Sequence, residues 1–313
     1  MARTAQLLSI VIPVYGEGGH IAQSLGIIRA KLLTLSTPFE LVLVDDGSKD
    51  DTWARLEELK TTVPELRAFS LSRNFGKEAA IFAGLEKSRG DAVIVMDSDL
   101  QHPPAMIADM FALWRDQGYD VVNAVKRRRG DEGTVRGLMS RLYYRLFEAL
   151  AGTRMEGSAD FKLIDRSVVK AYCDLPERNL FFRGLVTWMG YRQVDLPFAV
   201  EARTGGGTKW SLRKLLALAL NSISAFSTVP LQFVTTIGGL FLIFAVGLGL
   251  QTLYLKFVGG AEEGFPTVIL VLLISSSVLM IALGIIGQYL ARIYDEVKRR
   301  PRYLMHKSTD SDS

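Results

Sequence analysis

The stretch DAVIVMDSDLQHPP, residues 91–104, holds the two signals on which the fold turns. Ala92 to Met96 is an almost unbroken apolar run, the pattern of a strand buried on both faces. Asp97, Ser98 and Asp99 follow at once, and Pro103-Pro104 then lead into a helical pattern, PPAMIADMF. If the extended backbone continues, Asp97 and Asp99 point to one side, roughly 6.6 Å apart along the strand. Two carboxylates held that way repel unless a cation sits beside them. A hard divalent ion, bound through carboxylates and completed by water and phosphate oxygens, suits the pair. The alternative is a polar turn in which Asp breaks the strand and caps the next helix. A lone D-x-D does not choose between the two.

The sequence upstream bears on that choice. LLSIVIPVY (7–15), FELVLVDDGSKDDT (39–52) and LRAFSLSRNFGK (66–77) read as strands that run out into polar clusters. HIAQSLGIIRAKLL (20–33), TWARLEELK (52–60) and EAAIFAGLEKS (78–88) read as the helices between them. Strand–helix alternation at this pitch means βαβ units and a mostly parallel, Rossmann-like α/β sheet. Such sheets bind ligands beyond the carboxyl ends of their strands. Tyr15, Asp45–Asp46, Arg73–Lys77 and Asp97–Asp99 all follow strand ends, so four polar clusters are expected to converge on one edge. A dinucleotide fingerprint is excluded: YGEGGHIAQS follows Pro13 and has Ile21 where G-x-G-x-x-G needs glycine. No G-x-x-x-x-G-K-[ST] occurs either, so there is no P-loop.

The 313 residues carry a net charge of +4, and their composition is split. Residues 1–210 look like a soluble α/β domain. No charged residue occurs from Leu215 to Leu255, nor from Phe265 to Ala291. Each stretch is long enough to cross a bilayer, which takes about 20 residues, and spans are expected at about 229–255 and 264–291. The apolar run at the N-terminus is too short, ending at Pro13, for a secretory signal. The link KFVGGAEEGFP has one Lys and two Glu, whereas the tail at 292–313 is rich in Lys and Arg. That bias places the tail, and with two spans the N-terminal domain, in the cytoplasm. A single cysteine, Cys173, permits no internal disulfide and fits that compartment.

Two further segments read as amphipathic helices beside the membrane. Residues 134–150 put Val135, Leu138, Met139, Leu142, Leu146 and Leu150 on one face, with Ser140, Arg141, Arg145 and Glu148 opposite. A juxtamembrane segment at 211–228 leads into the first span. Basic amphipathic helices of this kind lie in the lipid interface, although 134–150 also suits packing on the domain core. KRRR (126–129) precedes the first of them, and no nucleic-acid motif accompanies it.

IVIPVYGE, VLVDDGSKDDT, LSRNFGKEAAI and VIVMDSDLQHPP, in that order, resemble the GT-A glycosyltransferases of family 2. With GSADFKLIDR, RTGGGTKWSLRKL and two apolar segments behind them, the whole chain resembles the polyprenyl-phosphate group, the dolichol-phosphate mannose synthases and their bacterial relatives. The resemblance implies a donor site of Pro13, Tyr15, Glu17, Asp46, Lys77, Asp97, Ser98, Asp99 and Gln101. It also implies that Arg203 and Lys209, flanking TGGGT, close over donor or acceptor. Mg²⁺ or Mn²⁺ would be held by Asp97, Asp99 and Gln101. His102 stands where the family more often has an acid and is assigned no metal role. Arg136 and Ser140, with Arg128 as helper, would hold the acceptor phosphate. Asp99 and Asp160 are the implied catalytic residues, Asp160 on the acceptor side as base or as orienting group. A phosphate monoester, with its second pKa near 6, is mostly a dianion at pH 7 and needs no strong base.

The implied reaction is an inverting transfer from a nucleotide sugar, UDP-linked on bacterial resemblance, to polyprenyl phosphate at the cytoplasmic face of a bacterial inner membrane. Its partners are the donor, the lipid acceptor and the bilayer, with a homo-oligomer allowed and no nucleic acid. The rivals are a processive polysaccharide synthase, whose Q-x-x-R-W block is absent here, and a non-catalytic scaffold, against which the intact DSD argues.

Overall fold

A computed structural model of the chain describes residue 3 and residues 5–126, 158–178, 181–198, 229–258 and 265–310. The segments 134–150 and 211–228, and with them Arg128, Arg136, Ser140, Arg203 and Lys209, lie outside those residues. The apolar runs form β1 (Leu8–Val14), β2 (Phe39–Asp45), β3 (Leu66–Leu71) and β4 (Ala92–Val95). All four are buried almost throughout, as unbroken Val/Ile/Leu runs require. Between them lie α1 (Ile21–Leu32), α2 (Thr52–Thr62) and α3 (Lys77–Lys87). α1 buries Ile21, Leu25, Ile28 and Leu32, a single stripe at helical spacing. α3 lies so close to β1 that a Cβ on Gly84 would come within 2.3 Å of Val11 Cγ1; only glycine fits there.

β4 is followed by α4 (Met106–Gln117), which buries Met106, Ile107, Met110, Phe111 and Trp114 and ends on Gly118 in the left-handed conformation. Full burial of such side chains is worth about 1.5–3 kcal/mol each, which pins the residues just ahead of α4 to the sheet. The fold continues through β5 (Val121–Lys126), β6 (Ser158–Asp165), α5 (Arg166–Asp174), α6 (Phe182–Trp188) and β7 (Gln193–Phe198). Asp165 caps α5 by accepting from Ser167 N.

These strands make one eight-stranded sheet in the order β7-β5-β6-β4-β1-β2-β3-β8, where β8 is Met305–Ser308. The run β3-β2-β1-β4 is parallel throughout, and β5 pairs parallel with β7. β6 runs antiparallel to β4 and β5, and β8 antiparallel to β3. Strand order reverses direction between β1 and β4, which is where such sheets open a binding crevice.

β8 comes from the stretch read from sequence as a tail. It docks through many polar contacts. The Arg302 guanidinium donates to the carbonyls of Leu175 and Glu177 just past the end of α5, where a cation also suits the helix dipole. Tyr303 Oη donates to Glu86 at 2.5 Å. Asp310 pairs with Arg67 at 2.6 Å, and Arg67 with the buried Glu40 at 2.7 Å.

A second compact unit holds α7 (Val229–Val258) and α8 (Phe265–Val297). Among the described residues one helix is long and apolar enough to cross a membrane, Val271–Val297. At 1.5 Å per residue its 27 residues extend about 40 Å, more than a hydrocarbon core of about 30 Å. In α7 the described apolar helix is the shorter Thr236–Gln251, so the expectation of two spans is met for one.

Candidate active site

The edge at which β1, β2 and β4 end, together with the loop after β3, encloses a cleft of about 380 Å³. It is lined by Pro13, Val14, Tyr15, Glu17, Asp46, Asn74, Gly76, Lys77, Ala80, Asp97, Ser98 and Asp99. Four strand-end clusters expected to meet do meet here. Of the donor residues read from sequence, those between Pro13 and Asp99 all line it; Gln101 does not and is exposed.

The backbone after β4 departs from expectation. It leaves the strand at Val95 and turns at Ser98–Asp99, with Leu100 at a φ of +55°, so Asp97 and Asp99 are not two residues of one extended strand. The turn is fixed by Gln101 N, which donates to Asp99 Oδ1 at 3.1 Å. A non-glycine residue at positive φ is a costly conformation that tends to be kept where it serves a site. The two carboxylates nevertheless stay together. Oxygens of Asp97 and Asp99 and a ring nitrogen of His102 lie within 4.8 Å of one another. His102 is buried, its ring against Phe161 and Phe198. Glu17 lines the same cleft, and burial and the nearby Asp99 charge raise its pKa. Three carboxylates around one opening are hard oxygen donors for a divalent cation.

Asp46 is held differently. Its two oxygens accept from Phe75 N at 2.7 Å and Gly76 N at 2.9 Å, and burial outweighs those bonds and raises its pKa. It thereby fixes the RNFGK loop over the cleft. The same loop requires Gly47, at φ +68°, whose Cβ would meet the Arg73 backbone at 2.4 Å.

Beside Asp97 lies a second charged group. Asp160, buried near the start of β6, takes Arg183 on both oxygens and Lys77 on Oδ2 at 2.6 Å. Burial works against its charge, but the two cations win and hold its carboxyl well below the usual range. Lys77 Nζ also lies 2.5 Å from Asp97 Oδ1, so one ammonium joins the cleft's metal-ligand type acid to Asp160. Arg183, on α6, was not anticipated from sequence: nothing local in FFRGL marks it, and only the fold brings it to Asp160. Glu78 sets α6 in place by accepting from Phe182 N at 2.8 Å. Burial pushes the Glu78 carboxyl up to about 7. The buried Lys162 ammonium donates to Asn123 at 2.6 Å, and burial lowers it to about 8.

Comparison with known proteins bears on the family and the fold. A family model described as glycosyl transferase family 2 matches residues 9–173. An uncharacterised glycosyltransferase of Synechocystis sp. is 39% identical over 95% of this chain and 94% of its own. A prophage bactoprenol glucosyl transferase homolog of Escherichia coli is 34% identical, covering 96% of this chain and 98% of its own. The bactoprenol glucosyl transferase of Shigella phage SfII shows the same identity and coverage. Among solved structures, mannosyl-3-phosphoglycerate synthase from Rubrobacter xylanophilus has a TM-score of 0.50 at 20% identity. It covers 70% of this chain and 73% of its own, a likeness of fold.

Proposed function

The chain belongs to glycosyltransferase family 2, and on that premise we propose that it transfers glucose from UDP-glucose to a polyprenyl phosphate at the cytoplasmic face of a membrane. The observation that carries the reading is the cleft, with Glu17, Asp97 and Asp99 around one opening and Lys77 at its wall. Near-full-length relatives named as bactoprenol glucosyl transferases support the sugar and the lipid class.

The reaction is a single displacement. An oxygen of the lipid phosphate attacks the anomeric carbon, the bond from that carbon to the donor's β-phosphate oxygen breaks, and the nucleoside diphosphate leaves with the electron pair. A divalent ion held by Asp97 and Asp99, Mg²⁺ or Mn²⁺, would neutralise the charge that grows on the leaving diphosphate. Gln101 and His102 are the nearby candidates to complete its ligands. Glu17 and Tyr15 would face the nucleotide, and Asp46 holds the loop that covers it. Asp160 is a poor base, because Arg183 and Lys77 keep it ionised. It acts by fixing those two cations beside the reaction. The lipid phosphate, already mostly a dianion, supplies its own nucleophile. Arg128, Arg136 and Ser140 would bind that phosphate, and Arg203 with Lys209 would close the site.

The pairing of β8 with β3 supports a second membrane crossing. Segments on both sides of the helical unit belong to one sheet, hence to one side of a bilayer. That arrangement favours an even number of crossings. If α8 crosses, α7 is the partner. The Lys/Arg bias of the stretch after α8 supports a cytoplasmic sheet.

The test is a screen of radiolabelled nucleotide sugars with membranes and polyprenyl phosphate, scoring label in the organic phase. UDP-glucose should give the strongest signal, and Asp99→Asn or EDTA should abolish it. Undiminished label in chelator would remove the metal, and a different preferred sugar would remove glucose.

A further inference from the structure

Lys77 stands where a metal's charge would be felt. Its ammonium touches Asp97 Oδ1 at 2.5 Å and Asp160 Oδ2 at 2.6 Å, and its side chain is 42% exposed at the cleft wall. It occupies the first position of α3, behind Gly76 at φ +97°. Its Cα is therefore fixed by the helix start, while four rotatable bonds leave the ammonium free to swing. Asp160 keeps Arg183 whether or not Lys77 stays. Among the described residues Lys77 is the cation paired with Asp97, while the more distant Arg183 charge also acts on that carboxylate.

We propose that Lys77 is a tethered counter-ion for the donor-free cleft, competing with the divalent metal for Asp97, so that metal binds well only together with a nucleoside diphosphate. The inference rests on the reading of the cleft as a metal-dependent donor site. A divalent ion on Asp97 and the Lys77 ammonium would share one carboxylate, and charges of +2 and +1 so placed repel. The ion alone must displace the ammonium. A diphosphate changes that balance, because its negative oxygens accept both cations at once, and Lys77 turns from Asp97 to the phosphates. The device suppresses a metal-loaded cleft without donor and makes the donor's own charge the signal for assembly. By linkage the coupling is mutual: metal strengthens nucleotide binding by the factor with which nucleotide strengthens metal binding.

The experiment measures Mn²⁺ binding to the full-length chain in detergent, from the loss of the free-ion EPR signal, with and without UDP. Wild type should bind Mn²⁺ at least tenfold more weakly without UDP than with it. Lys77→Gln should bind Mn²⁺ alone at least tenfold more tightly than wild type, and UDP should then add little. Lys77→Arg, which keeps the charge, should stay within about threefold of wild type. Amine-labelling of Lys77, read by peptide mass spectrometry on the wild type, gives a second measure independent of any variant's folding. Saturating Mg²⁺ without nucleotide should raise labelling several-fold. The proposal is overturned if Lys77→Gln, with a wild-type melting profile, binds Mn²⁺ alone no more tightly, or if labelling is indifferent to metal. Transfer that persists in EDTA would instead sink the metal reading itself, whereas metal-dependent transfer with unchanged Mn²⁺ affinity in Lys77→Gln would sink only the role of Lys77.

Discussion

Glu78 is the residue whose ionisation the fold taxes most clearly near neutrality. Its folded pKa is raised from 4.5 to about 7, chiefly by burial. Between those values the folded state keeps a proton that the unfolded state has released, so stability falls as pH rises from about 4.5 to about 7 and is level above. At 1.36 kcal/mol per unit this amounts to at most roughly 3 kcal/mol. Glu78→Gln keeps an acceptor for Phe182 N and removes the titration. Its thermal melt should match wild type near pH 4 and exceed it above pH 7, with the pH slope of the melting temperature flattened. Such groups were invisible in the sequence, because EAAIFAG reads only as a helix; the burial of Glu78 depends on α6 arriving from about a hundred residues away. Asp97, Asp99 and Lys77 were legible, because residues at strand ends in an alternating α/β pattern share an edge whatever their separation. Their local geometry was not. Nothing in DSDLQ announces that Leu100 takes a positive φ and converts an extended pair into a turn.

At the scale of elements, the four parallel strands and their helices were readable because apolar periodicity specifies them directly. β8 was not. MHKS has neither β-branched residues nor apolar alternation; Met305 and Ser308 are half-buried, and His306 and Lys307 are exposed. It is a strand because an open edge of β3 and the ion pairs around Arg67 hold it. The guanidinium of Arg67 serves Glu40, which is buried, and Asp310, which is partly exposed. Arg67→Ala leaves the Glu40 carboxylate buried without its cation, and should destabilise the full chain by about 3–5 kcal/mol. Asp310→Ala leaves the inner pair intact, and should cost about 1 kcal/mol or less. Denaturant melts of both variants in detergent check the order. Equal losses would mean that the Glu40 pair contributes no more than the outer one.

For the whole molecule, the prediction concerns sidedness. A reporter fused behind the β8 segment should read as cytoplasmic, and one inserted near Gly260 as external. A cytoplasmic reading at Gly260 would make α7 and α8 a re-entrant hairpin. Apolar segments of this length were plain in the sequence, but the closure of the sheet by a strand beyond them was not, since strand partnership across such a distance leaves no periodic trace. That closure also sets an order of assembly in time. Ala68 on β3 and Thr309 are 241 residues apart, and a ribosome adds about 5–20 residues per second. The edge of β3 therefore waits on the order of 10 to 50 s for its partner, with its hydrogen-bonding groups unpaired and open to other chains. Both apolar helices emerge within that interval. If α7 and α8 both cross, as proposed above, the sheet is completed only after the insertion machinery has returned the polypeptide to the side on which it began, and a chain stalled midway through insertion would keep an unfinished sheet and a strand edge for quality control to detect.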